Sequence, residues 1–230
     1  VSSPTLPFSE AVRARRSARQ FLPTPMSAAD IRTVLEDAQT TPSNCNTQPW
    51  TVHVVSGEER DALSKEILRA DDEGRSSSDF TFDYADFGQG AYLERAHHHA
   101  ASLYEAAGVE RHDKPGRKAV VRSNLEFFGA PHVAFLFMPN FGDNVRAASD
   151  IGMYAQTFLI SLTARGYDGI PQTALGFHAD VIRDFLGVPE ELKLLFGISF
   201  GLADQSAPIN QLRMGRVPVE ENVVLHGITE

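Results

Sequence analysis

The chain has 230 residues, with 30 acidic against 21 basic side chains for a net charge of −9, 42% hydrophobic residues and one cysteine, Cys45. Such a length supports a sizeable core without metal or disulfide staples, and a lone cysteine excludes an internal disulfide. A net negative chain has no general attraction for nucleic acid or anionic membranes, no apolar run approaches the roughly 20 residues of a membrane span, and the first residues lack a secretory signal, so a cytoplasmic address is expected.

In chain order, Ser27 and Asp30 read as a capping box, and the spacing of Ile31, Val34, Leu35 and Ala38 predicts a half-buried helix that Pro42 stops. Residues 51–55 alternate and are β-branched, which predicts a strand ending at Gly57. Leu63, Ile67 and Leu68 mark the inward face of the next helix. Residues 71–90 then change character: Asp71, Asp72 and Glu73, three serines, and Phe80, Phe82, Tyr84 and Phe87 read as a variable surface loop or lid. A second helical region, 91–107, carries Leu93, Ala96, Ala100, Leu103 and Ala107 along one side, and 110–118 reads as a charged connection. A short helix with Leu125 and Phe128 leads into a buried strand over 132–138.

The strongest helical period spans 147–165, where Ile151, Tyr154, Ala155, Phe158, Leu159 and Leu162 share one face and Gly166 supplies the stop. A shorter helix with Val181, Ile182, Phe185 and Leu186 ends at Gly187, and 194–200 reads as another buried strand. Beyond Pro208 the chain is irregular yet keeps Val217, Val219, Val223, Val224 and Leu225. Such a tail is expected to pack on its own domain or to reach over a partner. No repeat or linker divides the chain, so 1–230 reads as a single α+β domain, a small sheet flanked by helices, with 205–230 as a C-terminal arm.

Charge is unevenly spread. Residues 1–20 hold Arg13, Arg15, Arg16 and Arg19 against Glu10, and residues 205–217 hold Arg213 and Arg216 with no acid, which leaves the rest strongly acidic. Two short basic islands suit a small anionic ligand better than a nucleic acid; the same arginines would equally serve to solvate helix faces.

Three motifs mislead on first reading. Gly197-Ile-Ser199-Phe-Gly201 fits the nucleophile elbow of serine hydrolases, but Ser199 falls inside an apolar strand with no helix start after it. His97, His98 and His99 are consecutive, and helical neighbours point about 100° apart, so they cannot converge on one ion. Cys45 has no identifiable basic partner, which favours inert packing. Neither a glycine fingerprint after a strand nor a P-loop is present.

The informative set comprises Arg15, Arg16, Ser17 and Arg19, the loop Pro42-Ser43-Asn44-Cys45-Asn46-Thr47-Gln48-Pro49-Trp50, and Arg213 with Arg216. Guanidinium forks suit a phosphate, and a polar loop fixed by prolines suits the edges of a polar ligand, although a self-satisfied turn has the same composition. Together these residues resemble the FMN-dependent nitroreductase family. The likeness continues in order through 169–176, the glycine-containing strand 196–201, Pro208-Ile-Asn210, and Arg213 to Pro218; residues 70–120 carry no family motif.

The resemblance implies a nitroreductase-like sandwich with a small central mixed sheet, an intertwined homodimer with exchange of C-terminal arms, and FMN at the interface, with NAD(P)H as reductant. It places Arg15, Arg16, Ser17 and Arg19 on the flavin, with Arg19 near its N1–O2 edge. Pro42, Ser43, Asn44 and Asn46 are implied to come from the other subunit, Gln172, Thr173 and Ala174 to lie near N5, and Arg216 with Arg213 to hold the phosphate. Many relatives carry lysine where this chain has Met214. No catalytic side chain and no metal are implied, because the chemistry is the flavin's. The expected reaction is ping-pong hydride transfer to a nitroaromatic, quinone or similar small acceptor. Alternatives on the same fold are reductive dehalogenation, flavin fragmentation, dehydrogenation, or flavin binding without turnover.

Overall fold

The computed structural model describes residues 5–81 and 87–228. Four strands, β1 (Thr51–Ser56), β2 (His132–Pro139), β3 (Asp168–Gln172) and β4 (Leu192–Gly201), form one sheet in the order β1-β2-β4-β3. Every neighbouring pair is antiparallel. β2 and β3 therefore run the same way with β4 between them, a split βαβ unit whose crossover is the long helix α6 (Val145–Ala164). The mixed sheet expected from the resemblance is corrected in this detail: among the described residues the sheet beside β3 gains only an isolated parallel bridge, Ser17 to Gly169.

β2 is buried on both faces, so its two side-chain sets serve different layers. Ala134, Leu136 and Met138 pack with α6 and α2 (Ala28–Gln39) through Val34, Ile151, Phe158 and Leu162. Val133, Phe135 and Phe137 pack with α3 (Gly57–Asp72) and α7 (Ala179–Leu186) through Leu63, Ile67 and Ile182. A bulge in β4 opposite Leu136 and Phe137 lets Leu194 and Ile198 join opposite layers. Gly169 is required by close packing, since a Cβ there would stand 2.8 Å from Leu159 Cδ2.

The predicted boundaries have visible causes. Ser27 Oγ accepts from the Asp30 N–H at 3.0 Å to begin α2. Gly166 at φ +81°, with Gly166 N–H on Thr163 O and Tyr167 N–H on Leu162 O, closes α6 in a Schellman turn.

Other expectations are revised. The region assigned as a charged connection, 110–118, runs into α5 (Lys114–Arg122), whose start is capped by Asp113 accepting from Gly116 N–H at 2.9 Å. Leu125 and Phe128 lie in turns, because Phe127 and Phe128 take φ of +55° and +53°, which no α-helix continues. No sequence signal marks α1 (Phe8–Ala14) or β3, whose Gly169 and Pro171 are poor strand formers.

The stretch after α3 is fastened at several points. Ser77 N–H donates to Phe177 O at 2.8 Å, Asp79 pairs with Arg183 and accepts from Leu194 N–H, and Phe80 packs against the layer of α2 and α6. Phe80 thus acts as core; Phe82 and Tyr84 lie outside the described residues. Helix α4 (Ala91–Ala106) has no fully buried residue. The apolar tail touches its own domain only in part: Val217 is half-buried and Glu221 of α8 (Val219–Asn222) pairs with Arg95 at 3.4 Å, while Val219, Val224 and Leu225 are exposed. Among the described residues no helix is long and apolar enough to cross a membrane.

His132 supplies a pH dependence. Its Nε2 accepts from the Met26 N–H at 2.8 Å, so Nδ1–H donates to Ser56 Oγ at 2.6 Å and the buried ring is neutral. Burial lowers its pKa from the ordinary 6.5, as it does for buried His178. The unfolded chain therefore takes up protons first as pH falls: stability is complete above 6.5 and is lost as pH drops below it toward the folded values. The urea midpoint is expected to fall between about pH 7.5 and about pH 5.5, and to fall less in His132→Gln. An equal drop in the variant would assign the acid loss elsewhere.

Candidate active site

The chain after α1 runs across the open edge of β3. Ser17 bridges Gly169, Phe21 bridges Ala203, and Ala18 and Phe21 are buried with Phe128 and Ile170. Arg16 turns inward, its Nε 3.6 Å from Asp168 Oδ1 and its terminal nitrogen donating to Gln205 Oε1. Arg15, Ser17 and Arg19 are half-buried at one cavity.

Asn210, almost fully buried, joins this segment to the C-terminal one. Its Oδ1 accepts from Arg19 N–H at 2.7 Å, and its Nδ2 donates to Gln20 O at 2.7 Å and Asp204 O at 2.9 Å. Its own carbonyl accepts from Arg213 at 2.7 Å. Arg216 donates to the carbonyls of Met214 and Gly215, and Met214, where many relatives carry lysine, lines the same cavity without a charge. The result is a cavity of about 400 Å³ lined by Arg15, Arg16, Ser17, Arg19, Arg213 and Arg216.

So many guanidinium groups repel one another. Arg15 is held below the ordinary arginine range first by burial and then by the positive charge of Arg216, and Arg19 is lowered by burial. The buried Nε of Arg16 has no hydrogen-bond acceptor among the described residues. A phosphate dianion would relieve the repulsion and offer bidentate acceptors, so these residues fit the phosphate end of a nucleotide. Asp168 faces the same cluster; burial raises its pKa, opposed by Arg16, the Ala203 N–H, Arg213 and Gln205.

β3 leads from Asp168 to Gln172, and Thr173 and Ala174 come next in a 3-10 turn. The Gln172 side chain points into the interior, donating to Asn124 O at 3.0 Å and accepting from Ser199 Oγ. It can therefore serve a ligand only through its backbone. Ser199 is fully buried on β4, which removes the nucleophile-elbow reading.

Pro42, Ser43, Asn44 and Asn46 do not line the arginine cavity. Their loop leans on α6, where Asn44 N–H reaches both carboxylate oxygens of Asp150 at 3.2 and 3.1 Å, and it borders a separate cavity of about 530 Å³ with Phe141 and Arg146. Cys45, Asn46 and Gln48 all take positive φ, 51°, 56° and 47°. The sequence groups two halves of a site that one chain keeps apart.

His99 is a site residue that its sequence context does not reveal. Arg19 donates to its Nε2 at 3.3 Å, so the proton sits on Nδ1, and burial followed by the charges of Arg19 and His98 lowers its pKa. It lines the arginine cavity and two wider ones along α4, of about 830 and 780 Å³, that include Tyr92, Arg95 and Met214. The histidine triplet is legible only as a false metal motif; among the described residues no cluster of metal-binding side chains exists. Asn210 is marked only by its place in Pro208-Ile-Asn210, and Asp168 and Gln205 fall outside every ordered motif.

A sequence model described as the nitroreductase family matches residues 12–202. A nitroreductase NfnB of Mycolicibacterium smegmatis is 41% identical over 96% of this chain and 94% of its own length, and a 4-nitrobenzoate reductase of Pseudomonas putida is 35% identical over 91% of each. Among solved structures, the FMN-dependent nitroreductase NfnB from Mycobacterium smegmatis in complex with NADPH superposes with a TM-score of 0.91 at 40% identity, over 95% of this chain and 97% of that one. An FMN and NADPH-dependent nitroreductase NfnB from a Sphigopyxis strain superposes at 0.92 with 30% identity, over 97% of this chain and all of that one.

Asn210→Leu is expected to strand the Arg19 N–H and two carbonyls, at a cost of about 3 kcal/mol. Urea denaturation measures this, and an unchanged midpoint would deny Asn210 its role as latch.

Proposed function

This chain belongs to the nitroreductase family, and we propose that it is an FMN-dependent oxidoreductase that uses NADPH to reduce nitroaromatic or similar small acceptors. The observation that carries this reading is the mutually repelling arginine cavity, Arg15 against Arg216 with an Arg16 Nε that lacks an acceptor among the described residues, at the edge of β3. Relatives described as FMN and NADPH-dependent, and others described as reducing nitrobenzoate and nitrobenzene, support the choice of cofactor, donor and acceptor.

Bound FMN would supply the relay of hydride between nicotinamide and acceptor. The chain's part is to bind and orient. Arg15, Arg213 and Arg216 would hold the phosphate, with Arg16 aligned from behind by Asp168 and Gln205. Ser17 and Arg19 would face the ribityl chain and the polar edge of the ring, where a guanidinium stabilises negative charge. β3 spans about 13 Å from Asp168 to Gln172, so the backbone of Gln172, Thr173 and Ala174 would meet the ring while the phosphate sits at the arginines. No side chain is assigned a covalent or proton-transfer role.

The separation of the 42–46 loop from the arginine cavity supports a homodimer in which Pro42, Ser43, Asn44 and Asn46 complete the partner's site. Exposed Val219, Val224 and Leu225 support exchange of the arm 205–230. The chain 1–230 then acts as one domain, with 71–90 a variable loop or lid, and a cytoplasmic setting fits its NADPH dependence.

Purified protein is expected to be yellow and to oxidise NADPH when given 4-nitrobenzoate or nitrobenzene. A colourless protein that FMN cannot reconstitute would sink the proposal, and a yellow protein that oxidises neither nicotinamide would sink the reductase half of it. Arg216→Ala is expected to weaken FMN affinity by roughly tenfold or more, through loss of a charge-assisted phosphate contact. Flavin fluorescence titration reads this directly, and unchanged affinity would remove Arg216 from the phosphate site.

A further inference from the structure

Helix α6 holds the polar loop at two points. Thr41 Oγ1 donates to Thr157 Oγ1 at 2.9 Å, and seven residues earlier on the same helix the Asp150 carboxylate accepts the Asn44 N–H through both oxygens. Seven residues are two helical turns, about 10.5 Å, so the two contacts fix both the position and the direction of the loop. Asp150 is only 4% exposed. A carboxylate so buried costs desolvation, and among the described residues it is the amide of this loop that hydrogen-bonds it.

The rest of the loop closes mostly on itself. Asn46 N–H donates to Ser43 O at 3.0 Å, Thr47 N–H to Asn44 O at 3.1 Å, and Gln48 N–H to Ser43 Oγ at 2.9 Å. Cys45 and Asn46 directly after the bond to Asp150, and Gln48 beyond Thr47, take positive φ, a conformation that the surroundings must impose on residues other than glycine.

We propose that Asp150 is a positioning residue for the flavin site: its carboxylate clamps the Asn44 amide and so presents Ser43, Asn44 and Asn46 in the one geometry that a partner subunit can use. This rests on the reading of the loop as part of that site. The charge of Asp150 matters because an anionic acceptor binds an N–H about twice as strongly as a neutral one.

Cys45, the sole cysteine of the chain, is exposed in the middle of this loop and reports on it without any added label site. The experiment measures the rate at which a maleimide fluorophore labels Cys45, and FMN affinity, in wild type, D150N and D150A. D150A is expected to label about tenfold faster and to bind FMN correspondingly more weakly, with D150N intermediate because its carboxamide oxygen still accepts. D150A with wild-type labelling and wild-type FMN affinity, in protein that melts cooperatively, overturns the proposal. Should D150A fail to fold, D150N carries the test: faster labelling supports the clamp and wild-type labelling overturns it. FMN is also expected to slow labelling of the wild type. If it does not, while D150A still accelerates labelling, the clamp holds and the assignment of the loop to the flavin site falls.

Discussion

Two arginine-bearing segments, 191 residues apart where Asn210 meets the Arg19 amide, are held against each other by one buried carboxamide. Gathering guanidinium groups into a cavity is unfavourable by itself, as the effect of Arg216 on Arg15 makes plain. A neutral group outside the guanidinium set must therefore do the gathering. The Asn210 carboxamide does so by accepting the Arg19 N–H and donating to the carbonyls of Gln20 and Asp204. Asp168 and Gln205 add an internal counterweight behind Arg16.

That latch works only because the sheet gives it a rigid edge. β2, buried on both faces, welds the layer of α2 and α6 to the layer of α3 and α7, and α6 carries the chain across to β3. Gly169 lets β3 settle on Leu159 and Leu162, and the same residue offers its backbone to Ser17. One close packing contact thus sets where the arginine strand can run. The core, in this sense, aims the site.

α6 plays a second part on its other side. Thr157 and Asp150 fasten the polar loop at a cavity separate from the arginine cavity of the same chain. A helix whose apolar stripe serves the core thereby uses its polar positions to fix a loop whose complement is expected in another subunit. The valines of the arm beyond Pro218 are exposed, and the proposed arrangement would cover them.

Much of this was legible in the sequence where the chemistry is local. The helical periods of α2, α6 and α7, the capping serine, the stopping glycines and the apolar runs of β2 and β4 are set by neighbours within a few residues, and the ordered arginine, loop and glycine motifs carried the family resemblance. What escaped was non-local or ran against propensity. α5 hides in a charged stretch with proline and glycine, β3 is a strand only because β4 and α6 hold it, and the phenylalanines at 127 and 128 take a turn no period announces. The roles of His99, Asp150 and Asn210 depend on partners 80, 106 and 191 residues away, distances over which sequence spacing carries no geometry. The sequence by itself therefore determined which residue types, guanidinium forks and short polar side chains, are at hand and in what order. Tertiary structure alone decided that the arginines meet, that the loop does not join them within one chain, and that Gln172 spends its side chain on Ser199, because each depends on which backbone atoms the packed sheet brings within about 3 Å.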